Sequence, residues 1–92
     1  MILNVDVNNA TYTAITLDAD SYCSHFLIKS RTGSKFFLKE KDEESAPYFT
    51  IDVNDWYSQP NTSRKAGEDI LLYVLGSIST DTIEVITVLA NN

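Results

Sequence analysis

Glu68-Asp69-Ile70-Leu71-Leu72-Tyr73-Val74-Leu75-Gly76, a short polar turn, then Asp81-Thr82-Ile83-Glu84-Val85-Ile86-Thr87-Val88-Leu89 is the stretch that decides the fold. Both runs have strand length and favour β-branched and aromatic residues. Each carries apolar residues on both alternating faces. A strand in a small sheet normally buries one face and wets the other. Two strands apolar on both faces predict that the second face is covered too, by another layer of the same domain or by a partner.

Upstream, the same two-residue period recurs. Leu3, Val5 and Val7 alternate with Asn4 and Asp6, a half-buried strand. Asn8-Asn9 signals a turn. Residues 11–17 are β-branched and place Ile15 and Leu17 on one face, and Asp18-Ala19-Asp20-Ser21 breaks the run. Residues 22–31 set Phe26 and Ile28, with Tyr22 at the start, against Cys23, His25, Leu27, Lys29 and Arg31. Thr32-Gly33-Ser34 reads as a tight hairpin connection, with Gly available for positive φ. Residues 35–40 return as its partner strand and carry Phe36 and Leu38 on one face.

Lys41-Asp42-Glu43-Glu44-Ser45-Ala46 is a charged loop, and Pro47 opens the next strand, where its missing N–H is tolerated. In that strand the period assigns Phe49, Ile51 and Val53 to the buried face. Residues 54–67 form the one long connection, holding Trp56, Tyr57, Pro60, Arg64 and Lys65, with room for one helical turn at 54–57. Connections of such length in compact domains are often functional. About seven short strands separated by turn signals predict an all-β chain, an antiparallel β-sandwich of Ig-like or jelly-roll-like type. A small barrel would use the same strands. The 92 residues fit one domain, residues 1–92. A chain this short buries about 60–65% of its unfolded surface, enough for one core.

Composition excludes several functions. Seven basic against 13 acidic residues give a net charge of −6, which disfavours nucleic-acid backbones and anionic membranes. The acids are scattered, as on a solvated surface; the alternative is an acidic inhibitor mimicking nucleic acid. A single cysteine precludes an intrachain disulfide. The first residues lack the basic and apolar regions of a signal peptide, and no stretch approaches the roughly 20 apolar residues of a membrane helix. Synthesis and folding in a cytosol are therefore expected. Asn9-Ala10-Thr11 and Asn61-Thr62-Ser63 match the glycosylation pattern but read as chance without secretion.

No residue set reads as catalytic, metal-binding or cofactor-binding. Cys23 and His25 stand at i and i+2 of one strand, roughly 6–7 Å apart, too far for a thiol–imidazole hydrogen bond. A metal there would need further ligands, and the chain has no other Cys or His. Their plain reading is a half-buried strand face. Asp18-Ala19-Asp20 resembles a fragment of a calcium loop but lacks the turn Gly and the further oxygens, and reads better as a solvated turn. Asp42-Glu43-Glu44 has no second carboxylate placed opposite it for glycoside chemistry. Arg31-Thr32-Gly33-Ser34-Lys35 lacks the spacing of a phosphate loop.

The candidate interaction surface therefore comprises Trp56 and Tyr57 with Leu71, Tyr73, Ile86 and Val88. The Trp56-Tyr57 pair either plugs one end of the sandwich or offers an aromatic platform to a sugar ring or a protein. The last four are the second-face residues of the two apolar strands.

A longer pattern is familiar. Phe26-Leu27-Ile28-Lys29-Ser30-Arg31-Thr32-Gly33-Ser34-Lys35-Phe36-Phe37-Leu38 precedes Tyr48-Phe49-Thr50-Ile51, then Ile70-Leu71-Leu72-Tyr73-Val74, then Thr80-Asp81-Thr82-Ile83-Glu84-Val85-Ile86. This order resembles short β-sandwich proteins encoded among the structural genes of tailed bacteriophages. An Arg-x-Gly-x hairpin, a Tyr-Phe-Thr-Ile strand and a terminal Asp-Thr-x-Glu-Val strand recur in them. The resemblance spans residues 22–89 and brings no catalytic residue. It implies a non-enzymatic virion component made in the host cytoplasm, a capsid decoration (auxiliary) protein or a neck or tail accessory. The partners it implies are capsid or neck/tail subunits and further copies of the chain. A small carbohydrate- or protein-binding module built on Trp56-Tyr57 is the alternative.

Overall fold

The alternation seen in the sequence becomes eight strands and two layers in the computed structural model, which describes residues 2–17, 23–60 and 70–89. The strands are β1 (Ile2–Val7), β2 (Thr13–Leu17), β3 (Cys23–Ser30), β4 (Phe36–Lys39), β5 (Tyr48–Ile51), β6 (Trp56–Pro60), β7 (Ile70–Gly76) and β8 (Asp81–Leu89). They form two four-stranded antiparallel sheets, one in the order β1-β8-β3-β6 and one in the order β2-β7-β4-β5.

Pairing follows a nested scheme. β1 pairs with β8, β2 with β7, β3 with β6 and β4 with β5. The chain is one long antiparallel ribbon, rolled so that β8 also meets β3 and β7 also meets β4. That is the jelly-roll form of sandwich. An immunoglobulin-like order would set the first, second, fifth and fourth strands in one sheet, which is not observed. Among the described residues each sheet keeps two unpaired margins, so these strands do not close into a barrel.

The two doubly apolar runs are the inner strands of the two sheets, β7 and β8. This position explains half of their pattern: one face of each builds the core. Ile83 and Val85 from β8 meet Leu72 and Val74 from β7, with Phe26, Ile28 and Val7 on one layer and Ile15, Leu17, Phe36, Leu38 and Ile51 on the other. Phe36, Ile28, Val74 and Ile83 are fully buried. The other face has no third layer over it among the described residues. Leu71 and Ile86 stay 42% and 44% exposed.

Four local expectations are corrected. The described residues hold eight strands rather than about seven, because the expected long connection contains β6. Trp-Tyr-Ser-Gln-Pro offers only two large apolar residues. As a margin strand it needs ladder bonds on one side only, which tolerates Pro60 at its end. Residues 54–57 make no helical turn. Asn54 takes a positive φ of 60° and opens a turn into β6.

The 32–34 connection is not a hairpin. It carries the chain from β3 in one sheet to β4 in the other, since both sides of β3 are occupied by β8 and β6. Gly33 has φ 79°, as the turn chemistry predicts, but serves a crossover. Its carbonyl accepts the Asn54 N–H at 2.8 Å, and a side chain in its place would collide with the Asn54 amide.

Phe49 and Val53 are not core residues: they are 65% and 59% exposed, and only Ile51 of the three is buried. β5 is a margin strand ending at Ile51, so Val53 lies beyond the ladder and Phe49 at the open flank between the sheets.

The connections 8–12, 31–35, 52–55 and 77–80 interlock. Gly76 N–H donates to Asn8 O at 2.8 Å and Arg31 N–H to Thr82 O at 2.9 Å. The Ser77 hydroxyl donates to Lys35 O at 2.6 Å. Asn8 Oδ1 accepts the N–H groups of Ala10 and Thr11, a side-chain-stabilised turn.

Candidate interaction surfaces

The six residues singled out in the sequence separate onto three surfaces, because successive strand residues point to opposite faces. Trp56 lies opposite Lys29 on the outer face of the β1-β8-β3-β6 sheet, and Ile86 is on that face between Ile2 and Leu27. Leu71 and Tyr73 lie on the outer face of the other sheet. Tyr57 points inward. Val88 stands opposite His25 in the β8–β3 ladder, and its side chain lies outside the described residues.

Trp56 and Tyr57 are therefore not one platform. Trp56 is 58% exposed. Tyr57 fills the flank of the sandwich, its ring 6.0 Å from Phe26 on one side and 6.0 Å from Phe49 on the other. Tilted rings at this separation attract beyond their buried area. This chain of three rings closes the gap between margin strands β5 and β6. Tyr57 thus packs inside as a plug would, and Trp56 lies exposed on an outer face.

The outer face of the β2-β7-β4-β5 sheet is rich in aromatic rings. Phe37 and Tyr48 meet edge to face at 5.8 Å. Lys39, only 9% exposed, lays its ammonium 4.4 Å from the Tyr12 ring centre. Nζ also donates to Glu43 O at 3.0 Å and to Glu44 O at 3.5 Å. One buried cation thus holds the acidic 40–47 loop to this face. The sequence reading missed it, because outward parity in β4 implied an exposed lysine.

A second polar device sits where the β3–β4 crossover meets the start of β8. Asp81 is 2% exposed. Its Oδ2 accepts the Ser30 hydroxyl at 2.5 Å, and Oδ1 accepts the Thr32 hydroxyl at 3.1 Å and the Thr82 N–H at 2.8 Å. Each hydroxyl has one proton to give. Ser30 and Thr32 spend theirs on Asp81, so Ser34 Oγ donates to Thr32 Oγ1 at 2.8 Å. Ser34 N–H donates to Ser30 Oγ at 3.2 Å. The network is directional and ends on the carboxylate. Ser30, Thr32 and Ser34 at alternate positions were its signal in the sequence; their partner, about fifty positions downstream, was not.

β3 is irregular between Cys23 and His25, where two steps match one step on β8. The regular i, i+2 geometry used for that pair does not hold there. Asp18-Ala19-Asp20 lies outside the described residues, as do Tyr22, Arg64 and Lys65. Among the described residues no three His, Cys, Asp or Glu side chains stand close enough to hold a metal ion.

Two tyrosines give the fold an alkaline limit. Burial raises Tyr12 above the ordinary value of 10.0, with Tyr48 adding to the effect. Burial also raises Tyr57, with Glu40 adding. A raised acid keeps its proton longer folded than unfolded. The stability this contributes is complete below pH 10.0 and is lost as pH rises through the folded values. Melting temperature should fall above that pH, and fall less in a Tyr12→Phe/Tyr57→Phe chain. Equal alkaline slopes for the two proteins would contradict the assignment.

The described residues form an eight-stranded jelly-roll sandwich with one aromatic outer face and one of mixed apolar and charged residues. Comparison with protein-family models, curated proteins and solved structures finds no match in any of the three.

Proposed function

We propose that the chain is a non-enzymatic structural component of a tailed-phage virion, in first place a capsid decoration protein, that works through its outer sheet faces. The observation that carries this reading is the outer sheet face around β7, which no further layer covers among the described residues. Leu71 is 42% and Tyr48 63% exposed there, beside half-buried Tyr73, Leu75 and Phe37. Tyrosine-rich apolar faces are typical of protein contact surfaces. Jelly rolls recur in viral capsid proteins and in lectins, a fold-level analogy in favour of this reading. The resemblance of residues 22–89 to phage structural proteins points the same way.

Co-sedimentation with particles assembled without the chain tests this. The native protein should pellet with them. Leu71→Asp or Tyr73→Asp should weaken binding by roughly ten-fold or more, as expected for residues central to an interface. Native protein that stays in the supernatant at every concentration contradicts the proposal.

A carbohydrate-binding reading has its own observation, the exposed Trp56 ring on a sheet face beside Lys29. It requires the emission of the single tryptophan to change with a glycan. A flat response across a broad panel removes it.

A further inference from the structure

We propose that the outer face of the β1-β8-β3-β6 sheet is a self-association surface, on which a second copy docks about a two-fold axis running along the strands between β8 and β3. The inference deepens the assembly reading above by naming the partner of one face.

Register lays this face out in rows across the four strands. One row is apolar at its centre: Ile2 is opposite Ile86, and Ile86 is opposite Leu27, with Ser58 beyond. Ile2 is 70% exposed. The next row, two residues and about 7 Å along the strands, reads Asn4, Glu84, Lys29 and Trp56. Lys29 Nζ is 3.5 Å and Arg31 Nε 3.2 Å from the Glu84 carboxylate. These side chains keep substantial exposure, 54% for Lys29, 50% for Arg31 and 32% for Glu84.

Charge selects a second copy as the occupant. Among the described residues Asp6 and Glu84 on this face balance Lys29 and Arg31, so the face carries no net charge of its own. The other sheet's outer face is bordered by Glu40, Asp42, Glu43 and Glu44, held there through Lys39. Lys35 over the Phe37 ring, Lys39 and Lys41 offset three of these four acids, so that face keeps a net negative charge where this one is balanced.

Symmetry then supplies the pairing. In an isologous contact, residue i meets j and j meets i. A two-fold axis between the central strands exchanges β8 with β3 and β1 with β6. It sets Glu84 of one copy over Lys29 of the next, twice, and Ile86 over Leu27, twice. Trp56 covers Asn4 of the other copy. Strand spacing and rise make the face about 20 Å by 20 Å. That is smaller than a standard stable interface, so the dimer should be weak in free solution and favoured where copies are held close together.

Light scattering of the chain alone, up to millimolar concentration, tests this independently of any capsid. The native protein should move with concentration from 10.3 kDa toward twice that mass. Lys29→Glu and Glu84→Lys should each remain monomeric, since each sets like charges against each other across the axis. Mixed in equal amounts they should dimerise again, because a chain with carboxylates at both positions then meets a chain with ammonium groups at both. Within each variant the neighbouring charges still repel, so recovery on mixing reports contacts between copies. Ile86→Lys should abolish the dimer. A native chain at one chain's mass throughout, a trimer, or a mixture no heavier than its components would overturn the proposal. Particle binding without self-association would leave the assembly reading standing and remove this one.

Discussion

Asp81→Ala should lower the unfolding free energy by about 1–3 kcal/mol, the cost of leaving the buried Ser30 hydroxyl without its acceptor. Three donors lose their acceptor at once: the Ser30 and Thr32 hydroxyls and the Thr82 N–H. A domain of this length holds roughly 5–14 kcal/mol in total. The substitution therefore removes a large share of it and loosens the junction between the β3–β4 crossover and β8. Asp81→Asn keeps one accepting oxygen for Thr82 N–H and should cost less. Urea denaturation at unchanged slope measures both. An Asp81→Ala loss under about 1 kcal/mol would mean that water replaces the carboxylate, and the network would have no structural weight.

Phe36→Ala should cost about 3–5 kcal/mol, the range for deleting a buried aromatic ring whose surroundings cannot collapse. Phe36 is 0% exposed and sits on β4 between β5 and β7. Phe49→Ala is the informative contrast. The two-residue period assigns both rings to the core, yet Phe49 is 65% exposed at the margin. Its loss should be well under half that of Phe36 and should fall on its contact with Tyr57. Equal losses would place Phe49 in the core after all.

That contrast shows how far the sequence could be read. Periodicity names a face: in β2, β3 and β4 the named residues that are described are buried, and in β1 Val7 is buried with Leu3 and Val5 partly so. It does not say whether a strand is central or marginal, which separates Phe36 from Phe49. Nor does a glycine turn reveal where the chain goes next. Gly33 supplies the positive φ of a hairpin and of a crossover equally well. Ring closure across the fold was also invisible. Ser30 and Asp81 meet only once β3 and β8 are adjacent, and Lys39 is buried only when the 40–47 loop folds back.

The surface was legible in part. Leu71 and Tyr73 do share an exposed face, as their spacing implies. Ile86 does lie on an outer face. Trp56 and Tyr57 were grouped by adjacency although strand parity separates them, and β6 went unseen because it has too few apolar residues to show a period. The idea of a covered second face on β7 and β8 became two distinct outer surfaces. One is aromatic with an acidic border, and one is charge-balanced.

Assembly through these two surfaces is the work proposed for this chain. The direct measurement is quantitative mass spectrometry of purified tailed-phage particles encoded by the same genome. The account predicts the chain in those particles at a fixed ratio to the major shell subunit, retained through density-gradient banding. A chain abundant in the lysate but missing from the banded particles would contradict it.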